Sequence, residues 1–194
     1  MRAFVAVDLS EEIRARIASL QGEFAWLEEQ GVVKFVEPHQ AHQTVKFLGE
    51  IPETAVAGID RALSALHQQP FELRLHGVGF FPAASVEKAR NLRVIWVGIQ
   101  AGEEQLRALQ AEVEAKLYEL GYPLERRFSA HITLGRVKKP LRSKDELKRV
   151  LAKITALREA EVGAMRVEEV KLKRSTLTPR GPIYDDLVVK RLVG

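Results

Sequence analysis

The 194-residue chain has no cysteine, which excludes disulfides, thiolate nucleophiles and zinc–thiolate sites and leaves histidine and carboxylates as the side chains suited to ligate a metal. No apolar run approaches the length of a membrane span. The apolar start, Ala3 to Val7, is too short for a signal-peptide core and runs directly into Asp8, Glu11 and Glu12, so a cytoplasmic protein with no membrane partner is expected. Excess charge is scarce too. Thirty basic against 26 acidic side chains leave a net +4, which permits an anionic partner but does not by itself define a nucleic-acid binder. No Gly/Ser linker divides the sequence and nothing in it reads as disorder. At 46% hydrophobic and 29% charged residues it has the make-up of a globular protein, long enough for one sizeable core or two small lobes.

Periodicity supplies the elements. Ala3 to Val7 is β-branched and aromatic enough for a strand, Ser10 offers a helix N-cap, and Ile13, Ile17, Leu20, Phe24 and Leu27 follow at helical spacing. Strands are expected over Val32 to Val36, Gln43 to Gly49, Phe71 to Leu75, Leu92 to Ile99 and Ser129 to Val137. Helices are expected from about Glu53 to Leu66, through Leu106, Leu109, Val113 and Leu117 to Gly121, and over Asp145 to Leu157. A terminal pair of strands, Met165 to Arg174 and Tyr184 to Leu192, flanks the turn Thr178-Pro179-Arg180-Gly181-Pro182. The mixture lacks the strict alternation of a doubly wound sheet and points to an α+β fold of mainly antiparallel sheets.

Two copies of one pattern stand out, His42-Gln43-Thr44-Val45 and His131-Ile132-Thr133-Leu134, each inside an expected strand. Side chains two apart in a strand share a face, so His42 and Thr44 point together, as do His131 and Thr133, with apolar residues behind. With five histidines in the chain, two such hits arise by chance about one time in a hundred. Their placement in different halves hints at duplication. Phosphodiester chemistry gives the pair a reason. One imidazole takes a proton from the attacking oxygen while the other protonates the departing one, and the threonine hydroxyls donate to non-bridging phosphate oxygens. Such a site needs no metal or cofactor.

Together with Phe47-Leu48-Gly49-Glu50 after the first motif and Arg136 after the second, these residues resemble the 2′-5′ RNA ligase / RNA 2′,3′-cyclic phosphodiesterase family of two-histidine (2H) phosphoesterases. The likeness runs from Arg2-Ala3-Phe4-Val5-Ala6 through Gly79-Phe80-Phe81-Pro82 to Ser175-Thr176-Leu177 and Gly181-Pro182-Ile183-Tyr184. It implies a single bilobal, pseudo-duplicated domain over residues 1–194, in which two sheets form a V-shaped cleft with helices on the outer faces. It further implies hydrolysis of RNA 2′,3′-cyclic phosphate ends to 2′-phosphates and, in some members, reversible joining of tRNA halves through a 2′-5′ bond. His42 and His131 are then catalytic, and Thr44 and Thr133 bind phosphate.

Other residues are placed by strand parity. Lys46 shares the parity of His42 and is expected beside the phosphate. Arg136 has the wrong parity unless Gly135 bends or bulges its strand, although the resemblance favours a substrate-binding role. Phe47 falls on the buried face and is expected in the core rather than under a base, while Phe81 is less constrained. Gln43 also takes a buried parity, where an apolar residue would be easier to accommodate. Tyr184 is a substrate-binding candidate, and Arg127 and Ser129 share the parity of His131, with a solvated turn the plainer reading of Arg126-Arg127. His39, His67 and His76 are expected to be structural or solvated. The clusters Arg136-Val137-Lys138-Lys139 and Lys171-Leu172-Lys173-Arg174 are either RNA phosphate collectors or ordinary solvated cations.

The expected function is a monomeric cyclic phosphodiesterase acting on RNA ends. Three alternatives compete with it: a 2′-5′ ligase using the same site, a non-catalytic RNA-binding module and, less favoured by these residues, a metal-dependent hydrolase.

Overall fold

Ser10 separates the first strand from the first helix because its hydroxyl accepts the Ile13 N–H at 3.4 Å, a side-chain cap that propagates a helix from the next residue. The computed structural model describes residues 1–84, 88–125, 128–179 and 181–193. Within these, the strands are β1 (Arg2–Asp8), β2 (Val33–Phe35), β3 (His42–Glu50), β4 (Phe71–Phe81), β5 (Val94–Ala101), β6 (Ile132–Val137), β7 (Glu161–Val167), β8 (Glu169–Thr178) and β9 (Gly181–Arg191). The helices are α1 (Glu11–Gly22), α2 (Ala25–Glu29), α3 (Val56–Ser64), α4 (Glu103–Tyr118) and α5 (Lys144–Ala156).

The strands form two sheets, one ordered β3-β1-β8-β9 and the other β2-β6-β5-β4-β7, with antiparallel pairing throughout. Each sheet buries one face under two helices. Val5, Val7, Val45 and Leu172 of the four-stranded sheet pack with Ile59 and Leu63 of α3 and with Leu106, Leu109, Val113 and Leu117 of α4. Ile95, Val97, Ile132 and Leu134 of the five-stranded sheet pack with Ile13 and Ile17 of α1 and Val150, Leu151 and Ile154 of α5. Each fully buried Leu or Ile contributes about 1.5–3 kcal/mol, so each lobe has its own apolar support. The expected α+β architecture of two antiparallel sheets with helices on their outer faces is the one the chain adopts.

Three elements differ from the expected pattern. The helix after Ser10 ends at Gly22, a poor helix former, and α2 carries Leu27 separately, though Phe24 and Leu27 stay in the core. The strand expected over Phe71 to Leu75 continues to Phe81, because Gly77 takes φ +72° at a bulge that breaks the alternation without ending the strand. The run from Met165 to Arg174 is shared by two strands, β7 pairing with β4 and β8 with β1 and β9. The chain changes sheet at Glu168, a place with no Gly or Pro to mark it.

Candidate active site

His42 opens β3 and His131 immediately precedes β6, so the two motifs lie in different sheets. The same irregularity follows each. Along β1 and β3, Ala6 faces Thr44 while the adjacent Val5 faces Lys46, which leaves Val45 as an extra residue in β3. Along β5 and β6, Trp96 faces Thr133 while the adjacent Ile95 faces Gly135, which leaves Leu134 as an extra residue in β6. An extra residue reverses the parity of everything beyond it. The face bearing His42 and Thr44 therefore continues with Phe47, and the face bearing His131 and Thr133 continues with Arg136.

This geometry overturns two expectations. Lys46 is turned away from the motif face and buried at 1% exposure, where its ammonium binds Glu114 at 2.8 Å and the Pro123 carbonyl at 2.7 Å. Phe47, expected in the core, is 61% exposed with its ring 6.4 Å from that of Phe4. Arg136 reaches the motif face through a bulge, as its expected place needed, though the extra residue is Leu134 rather than Gly135. Gly135, at the place equivalent to Lys46, has no room for a side chain, since a Cβ there would lie 2.6 Å from the Phe35 ring and 2.7 Å from Val33.

The imidazoles are held alike. His42 Nδ1 lies 2.7 Å from the Gln40 carbonyl, and His131 Nδ1 lies 3.0 Å from the Ser129 carbonyl, each acceptor two residues upstream. A carbonyl only accepts, so Nδ1 carries the proton and Nε2 of each neutral ring presents its lone pair to the site. The Thr133 hydroxyl stands 3.4 Å from His131 Nε2. Aromatic rings brace both. His42 sits 4.8 Å from Phe4 and edge-on to Tyr184 at 5.2 Å, while His131 sits edge-on to Phe81 at 5.1 Å with Trp96 at 6.5 Å.

Burial pushes both histidines below their ordinary pKa. For His42 it outweighs the Gln40 carbonyl and the Asp8 carboxylate, which favour the cation, and Lys173 and Arg136 depress it further. For His131 burial outweighs the Ser129 carbonyl, and Arg136 again adds to the lowering. Burial raises the Tyr184 phenol, against the opposing field of Arg136. One guanidinium thus acts electrostatically on His42 and Tyr184 of one sheet and on His131 of the other.

The remaining candidates divide. Ser129 contributes its backbone carbonyl, and Arg127 lies outside the described residues. Lys171 and Lys173 are not free phosphate collectors, because Asp8 and Asp186 pair with both, and Arg174 pairs with Asp185. His39 lies in a short 3-10 turn and lines, with Asp8, Arg14, Gln40 and Tyr184, a cavity of ≈ 540 Å³ next to His42. His67 faces Glu112, and His76 faces Glu159. Among the described residues no group of three or more His, Asp or Glu is arranged to hold a metal ion, and no helix is long and apolar enough to cross a membrane. Sequence reasoning missed Phe4, Trp96 and Asp8, which enter the site through pairing across strands, and the contact from the Gln43 side chain to the His131 N–H.

The family model for LigT-like phosphoesterases matches residues 7–92 and again 97–184, one motif in each stretch. The chain belongs to this phosphoesterase family. Similar members include the RNA 2′,3′-cyclic phosphodiesterase of Methanothermobacter thermautotrophicus, 39% identical over 99% of both chains. The protein of that name from Archaeoglobus fulgidus is 39% identical over 97% of this chain and 99% of its own. The crystal structure of a Thermus thermophilus protein superposes with a TM-score of 0.77 at 32% identity, covering 100% of this chain and 99% of the other. For this LigT-like phosphoesterase, the double match agrees with the duplicated histidine geometry.

Proposed function

We propose that this LigT-like phosphoesterase hydrolyses RNA 2′,3′-cyclic phosphate ends to 2′-phosphates, with His42 and His131 as the proton-transfer pair. The observation that carries the reading is that both imidazoles donate Nδ1–H to a backbone carbonyl, leaving both Nε2 atoms for the substrate under the field of one arginine. Water attacks phosphorus and yields its proton to one Nε2, the P–O3′ bond breaks, and the other Nε2–H protonates O3′. Thr44 and Thr133 donate to the non-bridging oxygens, and Arg136 offsets the charge that builds on them. Tyr184, edge-on to His42, bounds the substrate on that side.

Because the free histidines favour the neutral form, the bound phosphate anion is what raises the acid partner enough to hold its proton. The names of the full-length relatives support cyclic-phosphate RNA as the substrate class, with tRNA halves as one natural source. The same reading has the chain act as a cytoplasmic monomer without metal or cofactor, since the two imidazoles fill both proton roles.

The test is product analysis on an oligoribonucleotide ending in 2′,3′-cyclic phosphate. A 2′-phosphate product that persists in EDTA is expected, with His42→Ala and His131→Ala each lowering kcat about 10²- to 10⁴-fold while remaining folded. Full activity in either variant overturns the assignment. A 2′-5′ junction accumulating from matched RNA halves would make ligation the main direction.

A further inference from the structure

Gln43 stands at a buried position where the strand pattern calls for an apolar side chain, and it is only 2% exposed. Both ends of its amide are engaged. Nε2 donates to the Thr44 carbonyl at 2.8 Å, and Oε1 accepts the backbone N–H of His131 at 3.0 Å, 88 residues away. The orientation is fixed by chemistry, since a flipped amide would set donor against donor at His131 and acceptor against acceptor at Thr44. One side chain therefore joins the backbone of the first motif to that of the second across the two sheets.

We propose that Gln43 is a positioning residue that sets the spacing between the two imidazoles. His131 precedes β6, and it is Gln43 that supplies an acceptor for its N–H. The His131 ring is tied to the same short stretch through the Ser129 carbonyl, so a shift of this backbone moves Nε2 relative to His42. Proton transfer at both ends of one phosphorus depends steeply on that spacing, whereas binding the phosphate depends on it less. This inference rests on the proposed two-histidine reaction, but the bridge itself is measurable without turnover.

The experiment compares wild type with Gln43→Leu, which keeps bulk and removes the acceptor, and with Gln43→Glu, which as the neutral acid that burial favours keeps an acceptor for the His131 N–H and an O–H donor for the Thr44 carbonyl. On RNA ending in a 2′,3′-cyclic phosphate, Gln43→Leu is expected to lower kcat at least tenfold with KM within twofold, and Gln43→Glu to stay within about threefold of wild type. In parallel, hydrogen exchange at the His131 amide is expected to be slow in wild type and Gln43→Glu and fast in Gln43→Leu. Wild-type kcat in Gln43→Leu, or a loss in Gln43→Glu as deep as in Gln43→Leu, overturns the proposal, and so does an unprotected His131 amide in folded wild type. If Gln43→Leu does not fold, Gln43→Glu and the wild-type amide decide. If wild type forms no 2′-phosphate, the proposed reaction fails, while the exchange data still report on the bridge.

Discussion

Phe47 and Arg136 hold the same place in the two halves of the molecule, each turned onto its motif face by a one-residue bulge, at Val45 in one strand and Leu134 in the other. The equivalence is geometric rather than chemical. One half presents a phenyl ring on the face of its motif and the other a guanidinium, so the proposed pair of proton-transfer groups has an apolar wall on one side and a cationic one on the other.

The cationic wall affects both rate and pH dependence. Arg136→Gln removes a positive charge from the site of developing negative charge and is expected to lower kcat/KM by about 10²- to 10³-fold. It also removes a positive charge that adds to burial in lowering His42 and His131 from their ordinary value near 6.5. The base must be neutral and the acid protonated, so both limbs of the wild-type kcat/KM profile fall on the acid side of 6.5. Losing Arg136 raises both histidines, and both limbs should move to higher pH. A profile that stays in place would mean that Arg136 acts on neither ring.

The apolar wall is expected to act on binding. Phe47 is 61% exposed, so Phe47→Ala removes little packing and should change stability by no more than about 0.5 kcal/mol. Stacking a base on an aromatic ring contributes about 1–3 kcal/mol. KM for a cyclic-phosphate oligonucleotide should therefore rise roughly 5- to 150-fold with kcat little changed. An unchanged KM in kinetics on the same substrate would remove Phe47 from the binding surface.

Much of this site was legible in the sequence, and the limit lies at particular residues. The period of two put His42 with Thr44 and His131 with Thr133, because each pair precedes its bulge. Beyond Val45 and Leu134 the alternation is wrong by one residue, and neither carries a mark such as glycine, so Lys46 and Phe47 were assigned to exchanged faces. The family resemblance favours Arg136 against its strand parity, which needs a bend or bulge at Gly135, and the extra residue is its neighbour Leu134. The helices followed from their apolar spacing, whereas the change of sheet at Glu168 did not, since strand patterning continues across it. Gln43 was visible as an anomaly, but its partner is chosen by the tertiary fold.

Lys46 provides a stability test that is separate from catalysis. It forms a buried ion pair with Glu114, and removing one partner of such a pair leaves an uncompensated charge. Lys46→Ala is expected to destabilise the fold by about 3–5 kcal/mol in urea unfolding. Lys46→Met with Glu114→Leu should recover part of that, though not all, because Glu114 also accepts the Glu125 N–H at 3.2 Å. In folded protein KM should be unchanged, whereas a large rise in KM would return Lys46 to the phosphate site.

Acid titration should expose two waves of destabilisation. His42 and His131 are held below their ordinary value near 6.5, so the unfolded chain takes up their protons first. The stability they contribute is whole above that pH and falls as pH drops through it. Burial would raise Asp8 and Asp186, but hydrogen bonds and charge from Lys171 and Lys173 outweigh it and hold both below the ordinary value near 3.9. Their contribution is present above about pH 4 and is lost as pH falls through their folded values. Urea midpoints should decline as pH falls below about 6.5, level once the folded histidines are protonated, and decline again below about pH 4. Asp8→Asn should be less stable at neutral pH and shallower in the second decline, because one carboxylate no longer has a proton to gain. A second decline as steep in Asp8→Asn as in wild type would mean that the Asp8–Lys171–Lys173–Asp186 network is not what acid breaks.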